Sequence, residues 1–238
     1  MITGIVVALT EELTTLTSER IKKGSIHYFS EKIWIIYSGA GEKNARLAAE
    51  LLVDKGVNRL ISWGCAAALD ATLKPGDLVL AESCIDTRQM ILELENQAWV
   101  NDFFLSFDNL FPVHFGRIAE SREVVETADE KARLGVATGA IALDMESTAI
   151  ARVANSNGIA LVTIRVIADT LAMDLPKAVS YALNDDGDVV LRKLLFYLLR
   201  RPSELQGLIK LGLAFNKAKK SLKCVAAQLE VVTRYGTT

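Results

Sequence analysis

Several runs of five to eight residues are apolar on both faces, and no other feature narrows the possible folds as much. Residues 2–9, 59–63 and 160–167 lack the polar alternation of a sheet with one wet face. They are too short for helices and too apolar for surface strands, so each predicts a strand covered above and below. Helix-like segments intervene at residues 42–55 (closed by Gly56), 122–134 and 146–157 (closed by Gly158). Strands alternating with helices imply an α/β fold, three-layer α/β/α with a mostly parallel central mixed sheet. Residues 25–29 and 33–37 flank Ser30-Glu31-Lys32, which predicts a hairpin. Further strands are expected at 78–81, 113–118 and 140–143, and a helix at 97–105. The small residues 64–68 (Gly64-Cys65-Ala66-Ala67-Ala68) and Lys74-Pro75-Gly76-Asp77 read as turns.

The last fifty residues differ from the rest. They hold ten Lys or Arg and two acids, Glu204 and Glu230, whereas the other 188 hold 17 basic and 27 acidic groups. Pro202 stops one helix there, and Ser203 with Gln206 predicts a capping box that starts the next. Leu208, Leu211, Phe215, Ala218, Leu222, Val225, Leu229 and Val232 then recur at steps of three and four, one seam on a long helix. Lys210, Lys217, Lys219, Lys220 and Lys223 fall off that seam. Residues 1–188 therefore read as one α/β domain and 189–238 as a basic, amphipathic helical C-terminal extension. The extension either packs on the body or on a second subunit, or it meets a membrane surface.

Composition removes several function classes. A net charge of −2 gives no general polyanion-binding surplus, so no nucleic acid partner is expected. Cys65, Cys84 and Cys224 form no CxxC pair, and His27 and His114 are the only histidines, so neither a metal site nor a disulfide framework is expected. No cofactor motif stands out: Ser38-Gly39-Ala40-Gly41 lacks the third glycine of a dinucleotide loop, with Asn44 in its place. No run is long enough to span a bilayer, and residues 2–9 read as a strand and not a signal peptide, which points to the cytoplasm.

The candidate chemistry lies at strand ends, where open α/β sheets bind ligands. Glu11 and Glu12 follow the first strand. Asp144, Met145 and Glu146 sit where a strand gives way to a helix, and capping of that helix is an equal reading for the carboxylates. Arg165 lies inside an apolar strand, costly unless paired, and Asp169 closes that segment. Carboxylates and an Arg at one sheet edge suit acid–base chemistry on a small polar ligand.

These segments resemble the successive motifs of the nucleoside phosphorylase and nucleosidase superfamily: Ala8-Leu9-Thr10-Glu11-Glu12-Leu13, Ser38-Gly39-Ala40-Gly41, Gly64-Cys65-Ala66-Ala67-Ala68-Leu69, Leu73-Lys74-Pro75-Gly76-Asp77, Asp144-Met145-Glu146-Ser147 and Arg165-Val166-Ile167-Ala168-Asp169. The chain is similar to methylthioadenosine/S-adenosylhomocysteine nucleosidases. It also resembles hopanoid-associated phosphorylases, through Ser121-Arg122-Glu123-Val124-Val125, Glu130-Lys131, Asp174-Leu175-Pro176 and the Arg201-Pro202-Ser203 tail. The resemblance implies that Asp169 protonates a departing purine, that Glu12 activates water and that Arg165 stands near that water. It implies that Glu146 beside Met145 binds the ribose hydroxyls, and that Ala66, Ala67 and Val124 also contact substrate. Val124 replaces an aromatic, so weaker stacking on the base is expected. On this reading Asp169 is held neutral and Glu12 charged.

The resemblance further implies release of adenine from an adenosyl compound, adenosylhopane if the lipid-linked branch applies. The tail would then meet the membrane peripherally, and a homodimer is expected. Gly76 stands where related phosphorylases carry a phosphate-holding Arg, which favours water. Lys43 and Arg46 keep the alternative open, a phosphate-dependent purine or uridine nucleoside phosphorylase.

Overall fold

The computed structural model describes residues 1–94, 99–101, 105, 111–182 and 191–229. Nine strands are seen among them: β1 (Thr3–Val7), β2 (Ile26–Tyr28), β3 (Ile33–Tyr37), β4 (Arg59–Ala68), β5 (Leu78–Ile85), β6 (Ile91–Glu93), β7 (Val113–Glu120), β8 (Ala142–Asp144) and β9 (Ala160–Asp169). The helices are α1 (Thr10–Leu13), α2 (Glu42–Asp54), α3 (Ala128–Thr138), α4 (Ser147–Ser156), α5 (Lys177–Ala182), α6 (Leu191–Arg200) and α7 (Leu205–Ala226).

The strands form one mixed sheet in the order β2-β3-β1-β4-β8-β7-β5-β6, with β9 bridging β4 and β5. Because β4 pairs with both β8 and β9, and β5 with both β7 and β9, five strands close into a ring, β4-β9-β5-β7-β8. The parallel run β3-β1-β4-β9 shares β4 and β9 with that ring and extends from it through β1 and β3.

Both faces of the sheet are buried, as the apolar runs require. Val6, Ile36 and Leu60 face α2 and α4 through Ala45, Ala49, Leu52, Ile150 and Ala154. Ile5, Val7, Ile61, Trp63, Ile164 and Val166 face the other way, onto Leu13, onto Ala218, Leu222 and Val225 at the far end of α7, and onto Leu229 just past it. The second half of the predicted seam thus packs on the body. Val232 and the expected boundary between residues 188 and 189 lie outside the described residues. So does most of the helix expected at 97–105, although 99–101 are helical.

Three expectations are corrected. Residues 64–68 are not a turn; they extend β4, because small side chains let this stretch pair with both β8 and β9. The helix expected at 122–134 starts at Ala128, where Thr127 and Glu130 form a capping box. Residues 122–127 are non-helical and run past the sheet edge. The Ser203–Gln206 box does not form; Pro202–Glu204 is a single 3-10 turn leading into α7 without a side-chain cap.

Candidate active site

The carboxyl-terminal ends of β1, β4, β8 and β9 open onto one cavity of about 510 Å³. Its wall includes Glu12, Ala66, Ala67, Val124, Met145, Glu146 and Asp169, so these sequence-derived candidates meet in one place. Arg165 does not line it.

Glu12 arrives on α1, immediately after β1. Its carboxylate is buried and accepts the amide N–H of Cys65 (2.8 Å) and, reaching back along its own turn, that of Leu9 (3.2 Å). Gly64 makes the room: a Cβ there would lie 2.7 Å from Glu12 Oε1. Burial pushes the Glu12 carboxyl up to about 7, against the opposing charge of Arg165. A base with that affinity is poised to take a proton near neutral pH.

Asp144 and Glu146 divide the roles left open by their spacing. Asp144 is buried and caps α4, its Oδ1 accepting the N–H of Glu146 (3.3 Å) and Ser147 (3.1 Å) and its Oδ2 the Ser147 hydroxyl. Asp144 Oδ2 also accepts Arg165 Nε at 2.5 Å. The rest of that guanidinium goes to Ile164 O (3.0 Å) and Ser62 Oγ (2.8 Å). Arg165 is thus fixed behind the wall and acts on the site through its charge. Glu146 faces the cavity and accepts the Gly41 N–H at 2.8 Å. Gly41 offers that amide at φ +93°, a conformation that disfavours any side chain. Burial raises the Glu146 carboxyl, with the neighbouring Asp144 charge adding to it.

Asp169 ends β9. The β4–β9 register shifts between Ala66 and Ala67, so that Ala67 pairs with Asp169. Such a bulge re-aims side chains at a sheet rim. Asp169 Oδ2 accepts Lys131 Nζ at 2.8 Å, whereas its buried Oδ1 has no partner among the described residues. Burial raises the Asp169 carboxyl; the hydrogen bond and charge of Lys131 oppose that.

Lys131 was not foreseen as a site residue. It is 0% exposed, on α3, and gives its other protons to the carbonyls of Thr170 (2.7 Å) and Met173 (2.6 Å). Three acceptors saturate one ammonium, which makes it a rigid clamp on Asp169 and on the chain beyond β9. Only its place in the Glu130-Lys131 pair marked it, because its partners are 38 or more residues away. Removing the clamp should misplace the acid and free it of an opposing cation. Lys131→Met is expected to lower kcat at least about tenfold and to move the alkaline limb of the kcat/KM profile upward. A lowered rate with an unmoved profile would leave Lys131 a purely structural group.

Cys65 lines the cavity, and burial raises its thiol well above the usual range, so it stays protonated. Gly76 lies elsewhere: at φ +94° it sits under α7, where Lys217 Cγ would be 3.1 Å from a Cβ and Ser221 donates to its carbonyl. Lys43 is exposed and Arg46 bonds to Glu50 at 2.7 Å; neither lines the cavity.

Apart from Glu11 and Glu123, the remaining wall is apolar. Leu175 lies before α5, Val179 on it, Leu194 on α6, and Leu208, Leu211 and Phe215 on the first half of α7. The predicted seam therefore splits, half walling the cavity and half filling the core.

The profile of the phosphorylase superfamily matches residues 4–201, and the chain belongs to that superfamily. It is an enzyme of the nucleosidase and phosphorylase class. A 5'-methylthioadenosine/S-adenosylhomocysteine nucleosidase of Buchnera aphidicola subsp. Acyrthosiphon pisum (strain Tuc7) is 29% identical over 217 residues, covering 77% of this chain and 90% of that protein. Another, from Maridesulfovibrio salexigens, is 23% identical over 211 residues, 74% and 89% of the two chains. The solved structure of the Helicobacter pylori 5'-methylthioadenosine/S-adenosyl homocysteine nucleosidase matches with a TM-score of 0.70 at 19% identity, over 98% of this chain and 97% of that one. Futalosine hydrolase of Helicobacter pylori strain 26695 gives 0.70 at 18%, with the same coverage. These two likenesses establish the fold.

Proposed function

We propose that the enzyme hydrolyses the N-ribosidic bond of an adenosyl compound and releases adenine, and that the compound bears a large apolar group on its ribose. Adenosylhopane, in hopanoid side-chain biosynthesis, is the substrate we assign. The observation carrying the reaction type is the composition of the cavity wall. Glu11, Glu12, Glu123, Asp144, Glu146 and Asp169 line it, and no Lys, Arg or His does among the described residues. Breaking the bond builds positive charge on the sugar, which carboxylates stabilise. A phosphate dianion would meet the same carboxylates with no cation in the described wall to hold it, which supports water as the attacking group.

In this reading Glu146 holds the ribose hydroxyls, Glu12 takes a proton from water, and Asp169 serves the departing base through its uncommitted Oδ1. The apolar side, with Leu194, Leu208, Leu211 and Phe215, receives the hydrocarbon. The relatives act, by their names, on small adenosyl compounds, which supports adenine as the base.

Incubation with adenosylhopane or methylthioadenosine, with and without phosphate, and chromatography of adenine and the sugar product tests this. The expected result is adenine and a free ribosyl lipid at equal rates with or without phosphate, and slower turnover of methylthioadenosine. A strict phosphate requirement with a sugar 1-phosphate product overturns hydrolysis. Turnover of methylthioadenosine alone overturns the lipid assignment.

A further inference from the structure

Several apolar side chains on the C-terminal helices are exposed among the described residues. Leu199 on α6 is 84% exposed, and Ile209 and Leu213 on α7 are 55% and 66% exposed. Leu205, Ile209 and Leu213 are spaced by four, which places them in one stripe along α7. Phe196 on α6 is exposed as well, with Arg200 stacked 3.7 Å above its ring. Apolar side chains clustered in this way mark a contact surface more often than chance exposure.

Cations accompany these side chains along both helices. Arg192, Lys193, Arg200, Arg201, Lys210, Lys217, Lys220 and Lys223 are all exposed, and Glu204 is the one acid among residues 191–229. Beyond Leu213 the side chains of Asn216, Lys217, Lys219, Lys220 and Lys223 border a shallow depression that Leu213 also edges. An apolar stripe running into a lysine cluster is the pattern of a helix lying in a lipid interface. A second copy is a poorer occupant, because a two-fold pairing of this face would set its cations against one another. No described helix is long and apolar enough to cross a membrane, so the contact would be peripheral.

We propose that α6 and α7 dock the protein on an anionic lipid surface, with Leu205, Ile209 and Leu213 among the acyl chains and the α7 lysines at the headgroups. The other faces of these two helices carry Leu194, Leu208, Leu211 and Phe215 of the active-site wall. One helix layer would then separate the bilayer from the cavity. The proposal rests on surface chemistry and not on the substrate assignment, so substrate-free vesicles test it.

The experiment is co-sedimentation of the full chain with vesicles of phosphatidylcholine, with or without phosphatidylglycerol, at low and high salt. Binding is expected to need the anionic lipid and to weaken with salt. Ile209→Glu with Leu213→Glu should remove binding while the unfolding temperature holds. Lys217→Ala and Lys220→Ala should each weaken it about fivefold, from about 1 kcal/mol per basic residue. Failure of the wild-type protein to sediment with anionic vesicles overturns the proposal, whatever the variants do. So does a dimer in light scattering that the Ile209 and Leu213 substitutions dissociate, since a second copy would then cover the stripe.

Discussion

Glu12→Gln should cost about a thousandfold in kcat and yet make the protein more stable above neutral pH. On the proposed mechanism the rate loss follows from removing the group that takes the proton from water. The stability gain follows from linkage. The carboxyl titrates near 4.5 ordinarily and near 7 in the fold. Between those values the folded protein holds a proton that the unfolded chain has released, so stability falls as pH rises through the window. Above pH 7 the full penalty of about 3 kcal/mol is present. Glutamine removes it but can serve only one of the two amides, of Cys65 and Leu9, leaving the other at a cost of about 1 kcal/mol. Urea unfolding should therefore show the variant ahead at pH 8 and slightly behind at pH 4.5. The reverse order would mean that Arg165 stabilises the charged carboxylate more than burial opposes it.

Asp169→Asn is the second large effect. The amide keeps the shape of the acid, and its oxygen can still accept from Lys131, turning the NH2 toward the cavity. Such a group donates a hydrogen bond to a base but cannot surrender the proton. Base release in a single turnover should fall by a thousandfold or more, roughly the upper range for a lost general acid, while adenine binding changes only a few-fold. Equal losses in both would assign Asp169 to recognition.

Much of this site is legible in the sequence, because strand ends are where helices leave room and because Glu12, Glu146 and Asp169 each follow an apolar run. The reading broke where tertiary neighbours decide. Residues 64–68 have turn composition, but their small size serves close pairing and space for the Glu12 carboxylate. Arg165 carries no local mark that it would be consumed by Asp144, Ile164 and Ser62. Lys131 looks like any helical lysine until β9 and the chain beyond it are brought to its tip. The helix expected from residue 122 begins instead behind the Thr127–Glu130 capping box, because Val124 and Val125 are there for the cavity and not for a helix.

The cavity has two walls of different origin. The segments at the ends of β1, β8 and β9 supply the polar groups, and three C-terminal helices supply the greasy side. On the proposed reading, selectivity for the apolar group is therefore separable from cleavage. Transplanting residues 205–215 between relatives would retune which tail is admitted, with the bond-breaking apparatus carried along untouched.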